Sequence, residues 1–229
     1  MNIKIIGLGG IGSILSDSIC RFLNYSIQQE INVLLIDGDE YEGKNLERQL
    51  FSHFDKKAIS KCRELKNKYD RLLISELPQF INQNNIEIIG KGDIVFLCVD
   101  NHKTRKIVSD YCSTLDDIIL ISGGNELIDG NVQIYIRQNG KDITPSLTKY
   151  HPEIENYNDK LPNEMSCEEL EKSEPQLFFT NMMVACFMCS AFYNILQSSI
   201  FNENNKPFKI SEAYFDIVKM CADAKMRTI

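Results

Sequence analysis

Short apolar runs and helical patterns alternate along the first part of the chain. Asn2–Ile6 and Ile31–Ile36 have the length and the apolar composition of buried strands. Between them, Ser13–Asn24 repeats apolar residues at the spacing of one helical face. A strand, a helix and a second strand in this order predict one unit of an α/β sheet.

The same periodicities predict the remaining elements. Further strands are predicted within Lys91–Asn101, Asp117–Ser122, Gly130–Arg137 and Phe208–Ile217, while Arg71–Leu77 fits either a strand or a short helix. Further helices are predicted over Phe54–Lys68, Lys103–Cys112 and Gln176–Leu196. Asp142–Glu174 is predicted to be a long crossover loop, and Val218–Arg227 fits either a short helix or a tail.

One of these strands alternates strictly between apolar and polar side chains. In Gly130–Arg137, we expect Gln133, Tyr135 and Arg137 to face outward. Strict alternation is typical of a strand with one face on the core and one in water. The prediction is therefore a half-exposed strand.

Composition limits the class of protein. The chain has 229 residues, of which 43% are hydrophobic, enough for one α/β domain with a sizeable core. The net charge of −7 argues against general nucleic-acid binding. No apolar run reaches membrane-spanning length and no signal-peptide pattern opens the chain, so we expect a cytoplasmic protein without a membrane partner. The eight cysteines are scattered, which indicates free thiols.

The glycines after the first predicted strand point to nucleotide binding. Gly7, Gly9, Gly10 and Gly12 follow that strand directly, and Asp37 ends the second strand. Glycine lets the backbone approach a ligand closely, and a helix start offers free N–H groups to phosphate. An acid at the end of the second strand accepts hydrogen bonds from ribose hydroxyls. The pattern fits NAD as well as ATP, and a turn that only tightens strand–helix packing is the simpler alternative.

A polar loop follows Asp37 and leaves the carboxyl end of the second strand. It contains Asp39, Asn45, Arg48 and Gln49. Ligands of open parallel sheets bind at this edge, and the planar guanidinium of arginine suits phosphate. By spacing alone, the same loop is equally well a solvated surface connection.

Together these residues resemble a known family. Gly-x-Gly-Gly-Ile-Gly, then a strand, Asp37-x-Asp39 and Asn45-Leu46-x-Arg48-Gln49 resemble the hallmark of the ThiF/MoeB/HesA superfamily, the adenylating domain of ubiquitin-activating enzymes. The resemblance implies an α/β fold: a Rossmann-like, mostly parallel sheet with helices on both faces, extended by antiparallel strands. It also implies one adenylating domain over residues 1–229, with a nucleotide-binding core over 1–140, a crossover loop over 141–175 and a C-terminal helix and strand over 176–229.

The resemblance assigns a role to each candidate side chain. It implies that ATP and Mg²⁺ bind at the strand edge, with Asp37 at the ribose, Arg48 at the phosphates and Asp100 on the magnesium ion. Asn45 and Gln49 would make loop or phosphate contacts. Asp100 ends the clearest strand of the sequence, and one carboxylate with phosphate oxygens and water is usual for Mg²⁺. Asp100 or Asn101 also fits the N-cap of the next helix, alone or alongside the metal role.

The family places a catalytic lysine on the helix predicted over Phe54–Lys68. Its usual distance after the Arg-Gln pair falls on Lys61, with Lys57 as the second choice. A lysine there would neutralise the charge that develops as pyrophosphate leaves. Without the resemblance, the lysines of this helix would form a solvated basic face, with Asp55 as its cap.

Three cysteines and one missing arginine complete the comparison with the family. The crossover segment can carry an acyl-accepting cysteine, for which Cys167 is the candidate, and an idle loop thiol is the alternative. Many relatives bind zinc through two Cys-x-x-Cys pairs, whereas only Cys186 and Cys189 form one here, so we expect both to be buried helix residues. Many relatives also carry an arginine on an N-terminal helix. Because the first strand here starts at Asn2, we expect either that another residue or protein supplies this arginine or that activity is weak.

The resemblance implies ATP-dependent adenylation of a carboxylate, forming acyl-AMP and pyrophosphate. The carboxylate would be the C-terminus of a ubiquitin-like or sulfur-carrier protein or of a peptide, and the enzyme would be a homodimer. An NAD-dependent oxidoreductase is one alternative, although it leaves Arg48, Lys61 and Asp100 unexplained. A non-catalytic subunit of a heterodimeric activating enzyme is the other, and the same three residues argue against it.

Overall fold

The computed structural model describes residues 1–159 and 177–229, and strands from both ranges join one sheet. Nine strands lie in these ranges: β1 (Asn2–Ile6), β2 (Asn32–Ile36), β3 (Leu73–Leu77), β4 (Ile94–Leu97), β5 (Ile118–Asn125), β6 (Asp129–Gln138), β7 (Lys141–Asp142), β8 (Glu212–Asp216) and β9 (Cys221–Lys225). Their order across the sheet is β3-β2-β1-β4-β5-β6-β8-β9, with β7 paired to β6.

Helices connect the strands and cover both faces of the sheet. The described α-helices are α1 (Gly10–Ser26), α2 (Lys57–Lys68), α3 (His102–Cys112), α4 (Pro152–Glu155) and α5 (Phe178–Leu196). One face is covered by α1, α2 and α5, which bury Leu15, Leu65 and Phe192 against it. The other face is covered by α3 and α4, through Val108 and Ile154.

Strand direction changes halfway across the sheet. β3, β2, β1, β4 and β5 run parallel, and β6, β7, β8 and β9 continue the sheet in antiparallel pairs. This confirms the predicted fold class. Since β1 lies between β2 and β4, the connections diverge at β1 and β4, and the carboxyl ends of these strands border the crevice where ligands of such sheets bind.

The prediction of a half-exposed β6 is wrong. Tyr135 is fully buried and Gln133 is only 4% exposed, although both were expected to face water. Tyr135 packs in the cluster beneath α3 and α4, while Val132 and Ile134 pack beneath α5. The alternation along the strand therefore separates two buried faces, because helices from distant parts of the chain cover both.

The start of α2 also differs from its prediction. The helix begins at Lys57 with Lys56 as its N-cap residue, and no side chain caps it. The Asp55 carboxylate accepts a hydrogen bond from the Lys56 amide at 2.8 Å instead. Three residues of the predicted helix, Phe54, Asp55 and Lys56, thus lie outside it, and Lys57 is its first residue.

Helix α5 has a composition that would suit a membrane. Its 19 residues are long and apolar enough to cross one, by length and composition alone. In the fold, however, it packs along α1 and over β5 and β6, with Val184, Met188 and Phe192 in the core. It occupies the place of a core helix of the domain.

The C-terminal residues form a hairpin rather than the helix or tail that the sequence allowed. β8 and β9 pair in antiparallel register, with Glu212 opposite Lys225. Asp216 accepts hydrogen bonds from the amides of Val218 and Lys219, and Met220 adopts a φ of 50°. This turn reverses the chain and adds β9 as the last strand of the sheet.

Candidate functional site

The glycine turn lies in direct contact with the carboxyl end of β4. Gly7 has a φ of 87°, and a Cβ atom on it would lie 2.9 Å from both the carbonyl carbon and the carbonyl oxygen of Cys98. The Gly7 amide donates to the Ile36 carbonyl at the end of β2 at 2.9 Å. Only glycine fits this position, and the turn therefore joins the ends of β2 and β4.

Asp37 ties the end of β2 to the glycine turn. One carboxylate oxygen accepts the Leu8 amide at 2.6 Å and the other accepts the Asp39 amide at 2.9 Å. Burial raises the pKa of Asp37, while the nearby charge of Lys57 and these amides oppose the rise. Carboxylate oxygens keep further acceptor sites after one hydrogen bond each, so Asp37 can still accept ribose hydroxyls.

An ion pair lies beside Asp37. The Lys57 ammonium binds the Asp39 carboxylate at 2.6 Å, and the Lys57 amide donates to the Asp39 carbonyl at 2.8 Å. The Lys57 side chain is 7% exposed, and its nitrogen lies 5.9 Å from the centre of the Tyr41 ring. The first residue of α2 is thus held against the acidic loop at the strand edge.

Lys61, the lysine that the family spacing selects, lies elsewhere. Its ammonium donates to the Leu50 carbonyl at 2.6 Å and pairs with Glu64 at 2.9 Å. The side chain is only 1% exposed, and burial lowers the pKa of Lys61 against the opposing effect of Glu64. Lys61 lies one helical turn further from the start of α2 than Lys57. Its ammonium therefore ends in the interior and not at the strand edge. Of the two lysines that the resemblance offers, it is Lys57, the second choice, that lies beside Asp37 and Asp39.

The loop after β2 is built around Asn45. The residue is 4% exposed, and its side-chain oxygen accepts the Glu42 amide at 2.8 Å. Its carbonyl accepts the amides of Arg48 and Gln49 at 3.1 and 2.9 Å. Asn45 therefore orders the loop that presents the next two candidate residues.

Gln49 and Arg48 lie near the start of α1. The Gln49 side-chain nitrogen is 3.8 Å from the position of a Cβ on Gly9, and its buried oxygen has no partner among the described residues. Arg48 is half-buried, and its carbonyl accepts a hydrogen bond from Asn181 at 3.4 Å. Asn181 in turn would lie 2.2 Å from a Cβ on Gly10. Both loop residues are thus connected to the glycine turn.

Asp100 lies two residues beyond the contact between Cys98 and Gly7, and it is exposed. The cap of α3 is Asn101, whose side-chain oxygen accepts the Thr104 amide at 2.8 Å. This settles which of the two residues is the cap. The Asp100 carboxylate is consequently left at the strand edge without a capping role.

Several contributors were not found by sequence reasoning. Asp159 accepts hydrogen bonds from the amides of His102 and Lys103 and so lies over the start of α3. Arg105 is 6% exposed and reaches from α3 to β5 and to Val99, two residues after β4. Asn181 is fully buried beside Gly10. An asparagine on the core face of an otherwise apolar helix was the one available signal, whereas the contacts of Asp159 and Arg105 depend on the fold.

The cysteine predictions have mixed outcomes. Cys167 lies outside the described residues. Cys186 is exposed and Cys189 is partly buried, so the expectation of two buried residues is wrong for Cys186. Cys186 lies on the outer side of α5, where a groove of about 490 Å³ runs along α1 past Phe22 and Tyr193. This groove is lined by the two helices and is separate from the strand edge.

A family model described as the ThiF family matches residues 1–228. Adenylyltransferase and sulfurtransferase MOCS3 of Drosophila virilis is 31% identical over 144 residues, which cover 58% of this chain and 29% of that protein. Adenylyltransferase and sulfurtransferase UBA4 of Eremothecium gossypii is 29% identical over 143 residues, covering 60% of this chain and 30% of that protein. The chain thus spans about three tenths of the length of these curated relatives.

Solved structures share the fold. E. coli MccB with ATP superposes with a TM-score of 0.70 at 18% identity, covering 98% of this chain and 63% of MccB. MccB with AMPCPP and MccA gives a TM-score of 0.71 at 17% identity, with coverage of 98% and 63%. At such identities, the likeness is evidence of the fold alone.

Proposed function

The chain belongs to the ThiF family, and we propose that it is an adenylyltransferase that activates a terminal carboxylate with ATP. The cluster of Asp37, Asp39 and Lys57 against the glycine turn is the observation that carries this proposal. It combines an acceptor for ribose with a cation for phosphate at the carboxyl end of β2, beside the glycine turn. The names of MOCS3 and UBA4, both adenylyltransferases, support the same activity.

The proposed reaction exchanges one phosphoanhydride bond for a mixed anhydride. A carboxylate oxygen of the acceptor attacks the α-phosphorus of ATP, and the bond to the bridging oxygen breaks. Pyrophosphate leaves with the electron pair, so no proton has to be transferred. The protein therefore contributes positioning and charge neutralisation rather than acid–base chemistry.

Each side chain of the site has a proposed task in this reaction. Asp37 binds the ribose through the acceptor sites that its two amide contacts leave open. Lys57 and Arg48 neutralise the phosphates and the departing pyrophosphate. In free protein, Asp39 holds the Lys57 ammonium at 2.6 Å, which keeps it at the edge before substrate arrives. Asn45 and Gln49 shape the loop against the glycine turn.

Magnesium is proposed to be held at Asp100. No group of three or more metal-ligating side chains was found in the described ranges, and Asp100 is exposed at the strand edge. A single carboxylate from Asp100 fits Mg²⁺, which is commonly bound through one or two carboxylates together with substrate phosphates and water. When bound, the ion would neutralise phosphate charge during the reaction.

The acceptor is proposed to be the C-terminus of a sulfur-carrier or ubiquitin-like protein or of a peptide. MOCS3 is named as a sulfurtransferase as well as an adenylyltransferase, and MccB has been solved with MccA. We further propose that the protein is a homodimer, as the family resemblance implies, and that it acts in the cytoplasm, as the sequence pattern predicts. Light scattering of the purified protein tests the oligomeric state.

ATP–pyrophosphate exchange tests the activity. The native protein should exchange labelled pyrophosphate into ATP only when a sulfur carrier or peptide with a free C-terminal carboxylate is present. The matched control is the same acceptor with an amidated C-terminus, which should support no exchange. Absence of exchange with every acceptor would favour a non-catalytic subunit.

Calorimetry separates adenylation from the oxidoreductase alternative. ATP with Mg²⁺ should bind, and NAD and NADH should bind much more weakly, because Lys57 and Arg48 suit a triphosphate. Tight binding of NADH without binding of ATP would overturn the adenylation proposal.

A further inference from the structure

Arg105 is a buried cation that joins two strands from the helix above them. It lies on α3 and is 6% exposed. Its Nη1 atom donates to the Ser122 hydroxyl at 2.8 Å. Its Nη2 atom donates to the carbonyls of Val99 at 2.7 Å and Gly123 at 2.8 Å.

These contacts begin where the ladder between β4 and β5 ends. The last parallel pair of the ladder is Leu97 with Ser122. Beyond it, the chain after β4 turns away, while β5 continues in antiparallel register with β6. The Val99 and Gly123 carbonyls are thus left without a strand partner between them. Arg105 supplies donors to both and takes over the task of the missing ladder bonds.

Burying the charge of Arg105 costs free energy. Burial lowers the pKa of Arg105, and the charge of Asp100 is the largest effect that opposes it. Within residues 1–159 and 177–229, no carboxylate forms an ion pair with the Arg105 guanidinium, and its Nε atom has no hydrogen-bond partner. A buried charge without a paired counter-ion is expensive, so a purely structural link between two strands would be made more cheaply by a neutral side chain.

We propose that Arg105 is a positioning residue for adenylation: by holding the Val99 carbonyl, it fixes the direction in which Asp100 leaves β4 towards the glycine turn. The inference rests on the proposed function, because it acts through Asp100. Lysine is a poor substitute, since one ammonium lacks the planar fork of donors that spans Ser122, Val99 and Gly123.

A double-mutant cycle tests this dependence. Arg105→Lys should lower the rate of ATP–pyrophosphate exchange by about 10- to 100-fold, as expected for a misplaced catalytic group. In protein that already carries Asp100→Asn, Arg105→Lys should lower the remaining rate by less than about twofold, because the group it positions is gone. Equal rate losses in both backgrounds would overturn the proposal.

Two further variants distinguish a positioning effect of Arg105 from a general loss of stability. Val108→Ala is the matched control, because it leaves a cavity beneath the same helix. It should lower stability and change the exchange rate equally in both backgrounds. Ser122→Ala removes only one acceptor of Arg105 and should show the same coupling to Asp100 with a smaller rate loss. If Arg105→Lys does not fold, the Ser122→Ala cycle decides, and equal losses in both backgrounds again count against the proposal.

Amide hydrogen exchange provides a readout that does not depend on activity. Cys98 is the residue before Val99, and its amide donates a hydrogen bond to the Ile6 carbonyl at 2.8 Å. Arg105→Lys should speed its exchange about tenfold or more while leaving Ile5 in β1 unchanged. Unchanged exchange at Cys98 would overturn the proposal that Arg105 fixes the backbone at Val99. A native protein without ATP–pyrophosphate exchange would instead overturn the proposed function, and the two failures are therefore distinguishable.

Discussion

At the scale of single residues, two lysines one helical turn apart have opposite surroundings. Lys57 ends at the acidic loop beside Asp37, while Lys61 ends in the interior on Leu50 and Glu64. Spacing along the chain selected Lys61, because spacing counts residues and does not know where a helix begins. The start of α2 at Lys57 decides which ammonium reaches the strand edge.

The first prediction separates these two lysines. Lys57→Met should lower ATP–pyrophosphate exchange by about 10²- to 10³-fold, the usual effect of removing one group that stabilises developing charge. The stability of this variant should change little, because the Asp39 carboxylate that loses its ion pair is 54% exposed and remains solvated. The measurements are the exchange rate and the midpoint of urea unfolding.

Lys61→Met is the matched control for that experiment. It should lower the free energy of unfolding by about 1–3 kcal/mol, because the Leu50 carbonyl and Glu64 lose the donor that the buried Lys61 ammonium supplies. The rate per folded molecule should stay close to that of the native protein. Loss of exchange in Lys61→Met together with full activity in Lys57→Met would show that the family spacing, and not the contact geometry, identifies the phosphate-binding lysine.

At the scale of elements, the two strands of the first α/β unit were predictable almost to the residue, whereas α1 extends beyond its predicted Ser13–Asn24 to Gly10–Ser26. β1 was predicted with its observed bounds, and β2 begins at Asn32, one residue after its prediction. Their apolar runs, the glycines and the acid all indicate the same structure, so local signals were sufficient. The burial of both faces of β6 depends on α3 and α5, which come from other parts of the chain. Local periodicity cannot report such contacts.

The second prediction concerns the packing of α1 against α5. A Cβ on Gly10 would lie 2.2 Å from the side-chain nitrogen of Asn181, so Gly10→Ala forces the fully buried asparagine to move. Overpacking of this kind costs about 1–3 kcal/mol of stability. Asn181→Ala should restore most of the loss in the double variant, because the smaller side chain leaves room for the added methyl group.

Urea unfolding of the two single variants and the double variant measures this coupling. Asn181→Ala alone should be mildly destabilising, since the Asn181 side-chain oxygen has no partner in the described structure and its one hydrogen bond to Arg48 is 3.4 Å long. If the destabilisations of the two single variants simply add, the contact between Gly10 and Asn181 does not explain why glycine begins α1.

At the scale of the whole molecule, residues far apart in sequence meet around the glycine turn. Asp37 reaches it through Leu8, Asp100 follows its contact with Cys98, and Asn181 approaches it from α5. The sequence predicted that Asp37 and Asp100 share one edge of the sheet, because both follow parallel strands of it. It did not predict Asn181, since nothing local places the start of α5 over the start of α1.

A second long-range link connects the segment before the crossover to the C-terminal hairpin. His151 lies between two carboxylates, Glu153 and Glu212, at 2.9 Å from each. Glu212 also accepts hydrogen bonds from Arg227 at 2.8 Å and from Tyr214 at 3.0 Å. The Glu212 side chain is 4% exposed, so these contacts are shielded from water. Glu212 thus holds together parts of the chain that are more than 60 residues apart.

The third prediction is that Glu212 makes stability depend on acid. Burial alone would raise the pKa of Glu212, but hydrogen bonds from Arg227, His151 and Tyr214 outweigh burial and hold the pKa below its usual 4.5. Between the folded-state pKa and 4.5, the unfolded chain therefore binds more protons than the folded one. The stabilisation is complete above pH 4.5 and is lost as the pH falls through the folded-state pKa.

Glu212→Gln should therefore lower the free energy of unfolding at pH 7 by about 1–3 kcal/mol, since it weakens charge-assisted hydrogen bonds of a buried group. The difference from the native protein should shrink as the pH is lowered below 4.5, because the native carboxylate then becomes protonated and uncharged, as glutamine is. Urea unfolding across that pH range measures it. Glu153→Gln is the control: its side chain is 51% exposed, and its effect at pH 7 should be smaller. A difference for Glu212→Gln that stays constant with pH would mean that the carboxylate charge does not hold the hairpin to the rest of the molecule.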